Sequence, residues 1–70
     1  MAGPTREETY RPSDAARRLE SLGAEFLKQH EDGRQLFYLR PYQLYAVTKR
    51  TLFGGVWIGF YKDRADCGCG

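Results

Sequence analysis

The sequence predicts an α+β domain in which one N-terminal helix packs on a three-stranded antiparallel sheet, in the chain order αβββ. Three observations carry this expectation. Apolar residues recur at helical spacing between Ala16 and His30. Three runs rich in β-branched and aromatic residues follow, QLFYL at 35–39, YQLYAVTKRTLF at 42–53 and VWIGFYK at 56–62. Between the last two stands Gly54-Gly55, a pair that tolerates the positive φ angles of a two-residue hairpin.

Each element follows in order. Residues 1–11 hold Pro4 and several charges without periodicity, and are expected to form a flexible arm. Pro12-Ser13-Asp14 then supplies an N-terminal cap and an acid for a first helical turn. The stripe Ala16, Leu19, Leu22, Gly23, Phe26, Leu27 and His30 extends that helix to about residue 31. Arg17, Glu20, Ser21, Glu25 and Lys28 form its wet face, and Gly33 is the candidate left-handed residue beyond its end. Pro41 separates the first strand from the second. A second helix over 42–53 is the alternative, with Pro41 at its first position and Gly54 as its cap. Tyr42, Tyr45, Val47, Thr48 and Thr51 favour the strand. One domain over 12–63 and a flexible tail over 64–70 complete the expectation.

Seventy residues permit one domain with a marginal core. Two cysteines, Cys67 and Cys69, cannot build a disulfide framework. They also supply at most two of the four ligands of a structural zinc site, so no metal or other cofactor is expected. The N-terminal stretch lacks the apolar segment of a signal peptide, and no run reaches the roughly 20 apolar residues that span a bilayer. A cytoplasmic location without membrane contact is the resulting expectation.

The net charge of +2 is unevenly placed. Residues 34–62 contain Arg34, Arg40, Lys49, Arg50 and Lys62, eight aromatics and no Asp or Glu. Enzymatic chemistry finds little material. His30 is the single histidine, beside Glu31 and Asp32, and suits a helix end better than a general base. No phosphate-cradling glycine loop or nucleophile elbow occurs, and no small-molecule substrate is expected.

A two-residue turn at Gly54-Gly55 sets Phe53 opposite Val56, Thr51 opposite Ile58 and Arg50 opposite Gly59. Side-chain alternation then gives a core face of Tyr45, Val47, Thr51, Phe53, Val56, Ile58 and Phe60. The remaining face holds Leu44, Ala46, Thr48, Arg50, Leu52, Trp57 and Tyr61. A single helix covers one face, so the second is surplus apolar surface, which in a small protein marks an interaction site. Its cover is a second copy, a different partner, or the N-terminal arm with Tyr10 folded back.

Trp, Tyr and Arg dominate interface hot spots, which places Trp57, Tyr61 and Arg50 at the centre of the candidate site. Leu44 and Leu52 extend it, and Arg40, Lys49 and Lys62 bias it toward an acidic partner. The expected function is therefore that of a small non-enzymatic inhibitor or adaptor that occupies a protein partner. Aromatics among basic residues on an open sheet also suit single-stranded nucleic acid, the alternative function. A purely structural role, aromatic cover of the strand glycine Gly59, explains Trp57 equally well.

Overall fold

The structure, a computed structural model, describes residues 3–67. It is an α+β fold with one helix and a five-stranded antiparallel sheet. The chain runs β1 (Arg6–Tyr10), α1 (Pro12–Ser21), β2 (Ala24–Gln29), β3 (Gln35–Leu39), β4 (Leu44–Arg50) and β5 (Val56–Tyr61). Short 3-10 turns occupy Arg40–Tyr42 and Arg64–Cys67. The strand order is β1-β5-β4-β3-β2, so β2 to β5 form a meander and the first strand joins beside the last. No helix among the described residues is long and apolar enough to cross a membrane.

The helix starts close to where its sequence signals stand, and stops a full ten residues short of expectation. Pro12 occupies its first turn, with Asp14 behind it at the positive end of the helix dipole. Arg11, in extended conformation, is the cap residue, and no side chain completes the cap. The helix stops at Ser21 because Gly23 takes a left-handed φ of 69°. The Gly23 N–H donates to the Glu20 carbonyl at 3.0 Å and that of Leu22 to Arg18 at 3.1 Å. Gly23 is thus the terminator, not a helical residue.

Beyond it, AEFLKQ forms β2. Ala24 and Phe26 alternate onto one face, but a bulge at Leu27 breaks the period before Lys28. That bulge is why Phe26 and Leu27 mimic helical spacing. Gly33 belongs to the turn between β2 and β3, where its N–H donates to the His30 carbonyl at 3.0 Å. Within 42–53, Leu44–Arg50 form strand β4 and no helix of that length forms. Pro41 lies in the 3-10 turn that precedes β4.

Part of the segment expected as an arm is strand β1, paired with β5 from Arg6↔Phe60 to Tyr10↔Val56. Glu8 ties it to the helix. Its carboxylate accepts from Arg18 Nε at 3.0 Å and Nη2 at 3.2 Å, from the Tyr10 hydroxyl at 2.6 Å, and pairs with Arg6 at 2.8 Å. The Arg18 hydrogen bond, helped by Tyr10 and the charges of Arg18 and Arg6, outweighs burial and holds Glu8 below its ordinary pKa.

The main core lies between α1 and the sheet. Ala15 and Leu22 meet Leu39, Ala46, Ile58 and Phe60, with Leu19, Phe37, Leu44 and Val56 at its margin. A fully buried Ile or Leu of this kind stabilises by about 1.5–3 kcal/mol. Val56, Ile58 and Phe60 face the helix as expected. Their partners on β4 do not match expectation. Arg50 pairs with Val56, Lys49 with Trp57, Thr48 with Ile58 and Val47 with Gly59. The connection is a five-residue loop over 51–55, three residues out of register with a Gly54-Gly55 turn. An odd shift exchanges the faces of β4. Leu44, Ala46, Thr48 and Arg50 therefore point to the helix side, while Tyr45 and Val47 point away.

Candidate interaction face

The face opposite α1 follows from this register. β5 contributes Trp57, Gly59 and Tyr61; β4 contributes Tyr45, Val47 and Lys49; β3 contributes Leu36 and Tyr38. The outer strands add Glu7 and Thr9 on one side and Glu25 and Lys28 on the other. At its centre Leu36 and Val47 are fully buried, although α1 packs on the other side of the sheet. Tyr45 and Tyr61 pack directly against the pair, and the Arg64–Cys67 turn touches β4 and β5 beside it. The Tyr38 and Tyr45 rings meet at 5.1 Å with a 47° tilt.

Trp57 lies flat along its own strand. A Cβ placed on Gly59 would come within 2.8 Å of ring atoms Cζ2 and Cζ3, and closer still to Cη2. Only glycine leaves room for the indole at that distance, which is the aromatic cover of a strand glycine. The Trp57 indole N–H donates to Glu7 Oε1 at 3.0 Å. Lys49, its cross-strand partner, sets its ammonium 4.7 Å from the ring centroid. Arg40 reaches the same face from the 3-10 turn. Its guanidinium is 5.6 Å from the Tyr38 centroid and donates to Glu25 at 2.9 and 3.3 Å. That hydrogen bond raises the Arg40 pKa above its ordinary value.

The candidate residues thus divide. Trp57, Tyr61, Lys49 and Arg40 come together on one face, and exposed Lys62 follows Tyr61 directly in the chain. Leu44 and Arg50 stand on the helix side, and Leu52 is in the 51–55 loop, wholly exposed. Gly59 faces Val47, not Arg50. The face also holds Tyr45 and Glu7, which sequence reasoning assigned elsewhere, and Tyr38, whose facing it left open. The alternation of Leu36 with Phe37 and Tyr38 with Leu39 leaves the facing of Tyr38 open until the register is known. Glu7 had no strand signal that could place it, since REETY is polar at four of five positions.

His30 sits where β2 enters its turn, its backbone N–H donating to the Arg34 carbonyl at 2.8 Å and its Nε2 buried without a hydrogen bond among the described residues. Cys69 lies outside the described residues. Comparison with protein-family models, curated proteins and solved structures finds no match for this chain.

Proposed function

We propose that this chain is a small non-enzymatic binding protein of inhibitor or adaptor type, which docks on a protein partner through the aromatic face of its sheet. The observation that carries this reading is the array of Tyr38, Tyr45, Trp57 and Tyr61 spread over the buried Leu36–Val47 floor, on the side away from α1. Tyr and Trp bring large contact area with few rotatable bonds, and they concentrate at the centres of protein interfaces. The array is already held in place: Trp57 by Gly59 and Glu7, Tyr38 by Tyr45 and Arg40. Little side-chain freedom is then lost on docking.

Charge favours an acidic protein over a nucleic acid. Glu7 and Glu25 are engaged within the chain, by Trp57 and Arg40. Lys28 and Lys49 share the face and Lys62 adjoins it. Two or three such cations can bias a partner's choice and speed its approach. A polyphosphate strand needs more, and the two carboxylates in the same plane oppose it.

The test uses wild-type chain and Trp57→Ala as baits in cells of the native host, with nuclease treatment in parallel. A nuclease-resistant protein held by the wild type and lost with Trp57→Ala supports the proposal. Salt-sensitive quenching of Trp57 emission by single-stranded oligonucleotides at micromolar concentration would replace it with the nucleic-acid alternative.

A further inference from the structure

One end of the sheet carries two neighbouring features, a groove of mixed polar and apolar lining and an apolar loop tip. The first is a groove of about 1020 Å³ between α1 and the strands, walled by Ala15, Ala16 and Leu19 of the helix and by Phe37 and Val56 of the sheet. The second feature is the tip of the 51–55 loop, where Leu52 is 100% and Phe53 98% exposed. Adjacent large apolar side chains held wholly in water are a surface awaiting cover. Arg50 and Val56 bracket the loop and also line the groove, so tip and groove are neighbours.

We propose that tip and groove are two halves of one joint between two copies of this chain. The Leu52–Phe53 tip of each copy seats in the groove of the other, about a two-fold axis. The loop cannot reach its own groove, because its ends are pinned. Thr51 N–H donates to the Gly55 carbonyl at 3.0 Å, and Gly55 N–H donates to Thr51 Oγ1 at 3.0 Å. Charge selects a second copy as occupant. Of the five charged residues that line the groove, Asp32 and Arg34 pair with each other and the Lys49 ammonium lies over Trp57; Glu20 on the helix wall and Arg50 on the strand wall make no ion pair among the described residues. Arg50 stands directly before the tip, so an incoming tip carries a cation to the Glu20 of the receiving copy. A surface that complements itself in shape and charge is what an isologous pair requires, and reciprocal seating closes the assembly at two. The joint leaves the Trp57 face untouched, on the other side of the sheet.

Sedimentation measures this directly. The wild type should form dimers at micromolar concentration, and Phe53→Ser should raise the dissociation constant at least about tenfold while leaving the unfolding midpoint of the dilute monomer unchanged. Ala16→Trp, which fills the groove from an exposed helix position, should do the same with the tip intact. Mixing those two variants should restore intermediate affinity, because one tip-and-groove joint survives in the heterodimer. Glu20→Arg and Arg50→Glu should each weaken the dimer, and the double exchange should recover it. A wild-type monomer near millimolar concentration, an open-ended polymer, or a dimer indifferent to Phe53→Ser or to the charge exchange would overturn the joint. None of these outcomes bears on the Trp57 face, whose test is partner capture.

Discussion

Gly59 and Trp57 form a fitted pair two residues apart on one strand, and each explains the other. The indole occupies the space a Cβ would take at Gly59. Gly59→Ala must therefore push the ring off the sheet or distort the strand, at a cost of about 1–3 kcal/mol. Displacing the ring also breaks the hydrogen bond to Glu7 and the contact with Lys49. Urea unfolding and Trp57 emission should both change in Gly59→Ala, the emission shifting to the red. Unaltered emission would mean that the indole does not rest on Gly59. Phe53 is the opposite case. At 98% exposure its removal touches nothing within the chain, so Phe53→Ser should stay within about 0.5 kcal/mol of wild type. In the register that sets Phe53 opposite Val56, Phe53 is a core residue, and its loss would cost on the order of 3–5 kcal/mol. Thermal unfolding of that one variant under dilute conditions discriminates the registers.

Among the elements, β3, β4, β5 and the start of α1 were legible because propensity and burial agree in them. QLFYL and VWIGFY are strands by composition and by packing alike. What the sequence concealed has physical causes. β1 is polar at Arg6, Glu7, Glu8 and Thr9, since one side of it faces water and the other pairs Glu8 with Arg18 instead of burying an apolar group. β2 is an exposed, bulged edge strand whose spacing falls between the two periods. The β4–β5 loop holds its turn glycines at its end, so Gly54-Gly55 marks the connection without centring it. That single ambiguity exchanged the faces of β4 and moved Leu44, Arg50 and Leu52 out of the candidate site, while Trp57 and Tyr61 kept their place. The β1–α1 contact also has a pH signature. Glu8 titrates below its ordinary value of 4.5 in the folded chain, so its contribution is full above about that pH and is lost as pH falls through the lowered folded value. Glu8→Gln should reduce stability at neutral pH and flatten the acid limb of a urea-unfolding series. An acid limb as steep in Glu8→Gln as in wild type would assign it to other carboxylates.

For the molecule as a whole, the two sides of the sheet divide the labour, with the helix packed on one and the aromatic array spread over the other. Trp57→Ala should weaken partner binding by at least about 2 kcal/mol, roughly 30-fold. The fold should lose less, about 1–2 kcal/mol, because the indole is only half-buried. Lys49→Glu should slow association and reverse its salt dependence with little effect on dissociation. A Trp57→Ala chain that binds as wild type would move the site off this face. The strand order bears on something else, the way the native state comes apart. β2 to β5 are joined in succession, whereas the Thr5 hydroxyl meets the Phe60 carbonyl across 55 positions of sequence. β1 can therefore leave without disturbing any hairpin, and its return must close a long loop against chain entropy. Its backbone amides should exchange with solvent deuterium through local opening, those of β4 and the inner side of β5 only with the whole molecule. Each such opening bares one edge of β5 for its full length. Acid that protonates Glu8 lengthens the time that edge stands empty, and a passing strand of another chain then meets a vacant place in the sheet.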